Sequence, residues 1–217
     1  MTTTRSRAYR SAVRDEQAER TRRRIAQAAR ERFVESGWGG TSIRSVATAA
    51  GVSEATVFAV YGSKAGVALS LIDSADADAD TARLIAEVEA AVGDPRRQLA
   101  AMIGFDRRLY ERAGEVLRVI IEGGRTEPAL AVAYAEGRAR GNQGRRRFFA
   151  SWPEGTLRRG MTVDDALDAY AIAVSIDVYD IALSERGWTA DRLEQWWVTS
   201  LSEAILAPDA ADHAARR

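Results

Sequence analysis

The chain has 217 residues, 46% of them apolar, which is enough to bury a core and too apolar for wholesale disorder. Its 31 basic and 31 acidic residues cancel, yet residues 1–64 carry twelve Lys and Arg against six Asp and Glu, and the remainder carries nineteen against twenty-five. A basic head on an acidic body suits nucleic-acid binding, while the complete absence of cysteine excludes disulfides, thiolate catalysis and cysteine-bound metals.

In chain order, residues 1–15 are polar, with Arg5, Arg7, Arg10 and Arg14 spread along them, and read as a flexible basic tail. From about Glu16 to Ser36, Ile25, Ala28, Ala29 and Phe33 recur at helical spacing, and Gly37 ends that helix. Thr41 and Ser42 open a second helix with Ile43, Val46, Ala47 and Ala50 on one face. Gly51 stops it, Ser53 caps a third helix to about Tyr61, and Ser63 caps a fourth starting at Lys64.

Further on, Asp94-Pro95 is a cap followed by a first-turn proline. It opens a helix through Leu99, Met102, Ile103, Asp106, Leu109 and Tyr110, and Gly114 to Gly123 forms a separate short, apolar, central segment. Thr126-Glu127-Pro128 starts a helix to about Ser151. Thr162 with Asp165 resembles a capping box and starts a long helix to about Arg186. Thr189 caps the last helix, which stops near Pro208, and residues 208–217 read as a frayed tail that includes His213. With no strand alternation, the expected fold class is all-α. The expected division is a DNA-binding domain over 16–77, with its motif at 42–61, and a second helical domain over 78–207.

Residues 41–61 contain two short helices joined by a tight glycine turn, a helix-turn-helix arrangement. Val57, Phe58 and Tyr61 are expected to pack back, leaving Glu54, Ala55 and Ala59 outward and Thr56 at the edge. As a set, Gly37-Trp38, Thr41-Ser42-Ile43, Val46-Ala47, Ala50-Gly51-Val52-Ser53, Ala55-Thr56-Val57-Phe58 and Ser63-Lys64 resemble the TetR family of transcriptional regulators. The specific resemblance covers about residues 19–79. Asp94-Pro95-Arg96-Arg97 and Glu185-Arg186-Gly187-Trp188 extend it only loosely.

The resemblance implies a helix-turn-helix head and a helical ligand-binding and dimerisation domain. It implies that Thr41 and Ser42 meet phosphate, that Arg44 reaches phosphate or a base, and that Glu54, Ala55 and Thr56 approach base edges. Tyr61 and Lys64 match a phosphate clamp, and Ser53, Phe58 and Ala59 complete the candidate DNA-contacting set. Lys64 is the sole lysine of the chain. The sequence departs from the family where tyrosine is common at Phe58, histidine or tyrosine at Val60, and phenylalanine at Tyr61. Losing one neutral phosphate hydrogen bond costs about 0.5–1.5 kcal/mol, small beside the roughly 11–15 kcal/mol of a specific DNA complex. Altered preference is therefore expected in place of lost binding.

In the body, Phe105, Tyr110, Arg118, Trp152 and Asp177 are candidate ligand-binding residues, because aromatic and polar groups in apolar helices often line cavities. Asp177, inside an apolar run, is expected to be buried with an arginine, in a pocket or at a subunit contact. Trp196, Trp197 and Leu201 are candidate dimer-interface residues, since in the family the last two long helices pair across a dimer. Asp76, Asp78 and Asp80 with Glu87 mimic a calcium loop, but Thr81 stands where that loop needs glycine. No metal, cofactor or catalytic residue is expected.

The sequence thus leads to a ligand-responsive, homodimeric DNA-binding regulator, a repressor released from a near-palindromic operator by a small-molecule effector. An all-α ligand-binding protein with a degenerate head, or an all-α enzyme, are the alternatives. No apolar stretch reaches the roughly 18 residues of a membrane span, so no membrane association and a cytoplasmic location are expected.

Overall fold

The computed structural model describes the backbone of residues 4–78 and 81–208, and the side chains of 16–71 and 81–208. Among the described residues every regular element is helical, and the only strand-like pairing is an isolated bridge between Leu157 and Leu206. The helices are α1 (Thr4–Gly40), α2 (Ile43–Ala50), α3 (Glu54–Tyr61), α4 (Lys64–Asp78), α5 (Thr81–Ala90), α6 (Pro95–Gly123), α7 (Pro128–Ala150), α8 (Val163–Ala173), α9 (Ile176–Asp180) and α10 (Ala190–Ile205), with a π-helical turn at Ile181–Glu185. No single described helix is long and apolar enough to cross a membrane.

Two compact units emerge: residues 1–74 with 115–134, and residues 75–114 with 135–217. The first therefore includes a segment outside the contiguous head expected over 16–77. Its core joins Ile25, Ala29 and Phe33 of α1 to Val46 and Ala47 of α2, Val57 of α3 and Val67 and Leu71 of α4. Val116, Val119, Ile120 and Leu130 complete it. Val116, Val119 and Ile120 recur at helical spacing on α6 and Leu130 comes from α7, and burying each contributes about 1.5–3 kcal/mol.

Three boundaries differ from the sequence reading, each for a local reason. The backbone is already helical at Thr4, upstream of the expected start at Glu16. Residues 4–20 contain no Gly or Pro, so nothing in them breaks a helix. Gly114 does not divide α6. A helix-interior glycine costs only about 1 kcal/mol, and Ala113 and Val116 beside it are both buried. The expected 163–186 helix is interrupted at Val174–Ser175, where Ser175 turns extended (φ −126°, ψ 157°) and caps α9 through Val178 N at 3.3 Å. The carbonyls freed by this break are taken up. Trp197 Nε1 donates to Ala173 O at 2.7 Å, and Tyr110 Oη donates to Val174 O at 3.1 Å.

His213 and the tail from Asp209 onward lie outside the described residues, as do the side chains of Asp76, Asp78 and Asp80.

Candidate nucleic-acid interface

The site is built from α2, a three-residue turn and α3. Ser42 caps α2 by accepting from Ser45 N at 3.0 Å, and Ser45 Oγ accepts in return from Ser42 N at 3.1 Å. This reciprocal pair satisfies two of the amides a helix start leaves open. Gly51 ends α2 in the left-handed region (φ 64°, ψ 41°), a conformation that disfavours any residue with a Cβ. Val52 donates its amide to Ala47 O at 3.0 Å, and Ser53 caps α3 by accepting from Thr56 N at 3.1 Å. The chain bends by 105° between α2 and α3, within the usual range for a helix-turn-helix.

On α3, Val57 is fully buried while Glu54, Ala55, Phe58 and Ala59 are exposed. Phe58 is 48% exposed, which overturns the expectation that its ring packs back. The reason is geometric. A helix this short has room for one buried stripe, which Val57 fills, with Val60 and Tyr61 half-buried against the same core. Phe58 lies one position round from Val57, on the side it shares with Ala55. Thr56 is partly buried, and its hydroxyl lies 2.8 Å from that of Ser53.

The residues expected to grip phosphate divide into two kinds. Ser42 and Arg44 are exposed on α2. Thr41 is only 4% exposed, and its hydroxyl faces the Arg32 and Gly37 carbonyls at 2.9 and 2.8 Å. It therefore fastens the joint between α1 and α2, its hydroxyl donating to these two carbonyls. That joint turns at Gly37 (φ 64°, ψ −175°), the glycine that sequence reading placed at the end of the first helix.

Tyr61 and Lys64 are engaged within the head. Tyr61 Oη donates to Arg22 O at 3.1 Å, and burial pushes its phenol above the usual range. Lys64 Nζ donates to Trp38 O and sits 4.1 Å from the centroid of the Trp38 ring, which also stacks with Phe33. Burial lowers the Lys64 ammonium from its ordinary value, opposed by Glu122. An ammonium has three donors, so the Trp38 carbonyl leaves donor capacity for a phosphate.

Residues 25–71 match the family model for bacterial regulatory proteins of the tetR family. No curated protein matches the sequence. Solved structures do. A putative transcriptional regulator from Saccharomonospora viridis in complex with choline is 19% identical with a TM-score of 0.69, over 86% of this chain and 97% of that one. NalD of Pseudomonas aeruginosa, the secondary repressor of the MexAB-OprM multidrug efflux pump, is 22% identical with a TM-score of 0.69, over 89% and 99%. The regulator FadR from Bacillus subtilis in complex with stearoyl-CoA is 16% identical with a TM-score of 0.68, over 82% and 96%. Among the described residues the fold is all-α, with a helix-turn-helix whose α3 is exposed. Over residues 25–71 the chain is thus similar to bacterial regulatory proteins of the tetR family, and it has the fold of these solved regulators.

Four of the five candidate ligand-binding residues lie in the second unit. Tyr110 and Trp152 spend their polar atoms internally, Tyr110 on the α8 break and Trp152 Nε1 on Gln98 Oε1 at 2.8 Å. Trp152 also packs on Phe149 with ring centroids 5.0 Å apart. Phe105 is half-buried. Asp177 is exposed in the first turn of α9, where a carboxylate favours the helix N-terminus; the expected buried partner is not needed. Arg118 is exposed and falls in the first unit, apart from the other four. Trp197 and Leu201 are 0% and 3% exposed and belong to the core, because they occupy the face of α10 that also buries Leu193 and Ile205. Of the three interface candidates only Trp196 is exposed, at 44%.

Sequence reasoning missed a buried polar cluster in this unit. Asp106 is 1% exposed and accepts two hydrogen bonds from Arg145 Nη2, at 2.6 and 2.7 Å, and one from Tyr170 Oη at 2.6 Å. Burial pushes the Tyr170 phenol well above its usual range, with the Asp106 charge adding to the rise. A phenol whose folded value is raised adds stability below its unfolded value near 10. That contribution is lost as pH climbs through the window above 10. Absorbance titration near 295 nm should therefore leave Tyr170 protonated until the protein unfolds. Ionisation of every tyrosine in the native state near pH 10 would contradict the cluster. The signal available in the sequence was Asp106 standing on the apolar face formed by Leu99, Met102 and Ile103.

Proposed function

We propose that the protein is a homodimeric, ligand-responsive repressor that acts by binding and not by catalysis, with α3 of each subunit in a major groove of a near-palindromic operator. The observation that carries this reading is the presentation of α3. Its N-terminus is capped, its axis is set by the 105° bend, and its Glu54–Ala59 face is free of the core. Two such heads on one duplex require half-sites spaced by about one helical turn, roughly 34–36 Å, or a multiple of it.

Dimerisation is supported by Ile172, Ile181 and Trp196, exposed on α8, the π-helical turn and α10. Large apolar side chains left in water favour a partner surface. The aromatic character of the second unit, with Phe148, Phe149, Trp152 and Tyr170 in mutual ring contact, supports an aromatic or amphipathic effector. Release would follow if that molecule bound more tightly to the head spacing that misfits the operator.

An electrophoretic shift on the DNA flanking the gene should show a discrete complex that resists moderate salt. In the same assay Lys64→Met should flatten the dependence of log affinity on log salt by about one unit for each phosphate released. An unchanged slope would confine Lys64 to its contacts with Trp38. Binding that is weak, salt-sensitive and indifferent to sequence would instead favour a ligand-binding protein with a degenerate head.

A further inference from the structure

We infer that α3 reads its half-site mainly through the C5-methyl groups of thymine, with the Phe58 ring as the principal contact; this rests on the operator-binding role proposed above. The outward face of α3 is Glu54, Ala55, Phe58 and Ala59, all exposed, with Thr56 at its edge. From Gly51 to Ser63 there is no Arg, Lys, Asn, Gln or His. The usual bidentate readers of guanine and adenine are thus absent from the reading helix.

The polar inventory of that face is short. The Thr56 hydroxyl already lies 2.8 Å from that of Ser53. Glu54 is an acceptor only, so it can meet the amino group of cytosine or adenine but no other base-edge feature. What the major groove offers to alanine methyls and an aromatic edge is the thymine methyl, the one apolar group on its floor. Phe58 is the largest exposed side chain on the helix, and its apolar ring cannot accept or donate a conventional hydrogen bond. An apolar ring half in water on a helix otherwise positioned to enter a groove is accounted for by a methyl beneath it.

Burying one methyl-sized group is worth about 0.8 kcal/mol, which is roughly a four-fold change in affinity. The probe is the operator duplex recovered by genomic selection, made once with thymine and once with uracil at every thymine of the half-sites. Wild-type protein is expected to bind the uracil duplex at least about four-fold more weakly. Phe58→Ala is expected to bind the thymine duplex more weakly and to lose most of the discrimination between the two. Because Phe58 is half in solvent, that variant should keep the wild-type melting profile, which is checked alongside. Equal affinity of the wild type for both duplexes overturns the inference. So does a Phe58→Ala ratio matching the wild type, or an operator with no thymine in its half-sites. Failure to recover any enriched operator overturns the regulator reading itself, and this inference with it.

Discussion

Asp106→Ala is expected to destabilise the protein by about 3–5 kcal/mol, the cost of breaking a buried ion pair from one side. The carboxylate receives all three of its hydrogen bonds from Arg145 and Tyr170, and its own side chain is 2% exposed. Removing it leaves a guanidinium with nothing to oppose its charge and a buried phenol without an acceptor. The Arg145 side chain keeps 20% exposure, so part of its charge can be solvated, which favours the lower half of that range. Asp106→Asn keeps the shape and one acceptor oxygen but removes the charge, and should fall between alanine and wild type. Urea unfolding measures both. A loss below about 1 kcal/mol for alanine would mean that the cluster is more hydrated than its geometry implies.

Gly66→Ala is the second large effect, and it acts on the reading head. Gly66 lies in the first turn of α4, where its amide donates to the capping Ser63 Oγ at 3.0 Å. A Cβ added there would run into the Tyr61 carbonyl oxygen, well inside contact distance. That oxygen belongs to the backbone at the end of α3 and cannot rotate aside, so α3 must shift or α4 must unwind. Overpacking of this kind costs about 1–3 kcal/mol, partly offset by the roughly 1 kcal/mol that alanine gains over glycine in a helix. The larger consequence is for DNA. Tyr61 anchors α3 to α1 through Arg22, and moving that anchor misaligns every residue from Glu54 to Ala59. Operator affinity should fall more than stability does. A variant that binds as wild type would show that the approach of α4 to Tyr61 is not what aligns α3.

The head was legible in the sequence because its signals are local. Ser42, Gly51 and Ser53 act on amides and carbonyls within four residues of themselves, and each does what its residue type dictates. Side-chain destinations were less legible where they depend on which of two neighbours wins a single buried stripe. Val57 took it, and Phe58 was left in solvent. The body was harder for the same reason at longer range. Nothing near Ala173 announces that Trp197 and Tyr110 will take up the carbonyls of a broken helix. Nor does Arg145, in a run of exposed arginines, advertise that it alone turns inward to Asp106. Such pairings join residues 24 to 64 positions apart, beyond any helical period.

Two positions that the family resemblance assigns to phosphate contact are engaged inside the head. Thr41 and Tyr61 serve the internal joints of the head, while Glu54, Ala55, Phe58 and Ala59 face outward. The outward surface of α3 is therefore acidic and apolar, with few hydrogen-bond donors.

Selection of genomic fragments by the wild-type protein at moderate salt decides whether α3 reads an operator. A regulator built this way should enrich one near-palindrome whose half-sites lie about one helical turn, or a multiple, apart, and Gly66→Ala should enrich it less. Recovery of fragments with no shared sequence, at a level that collapses as salt rises, would mean that α3 does not read a specific operator.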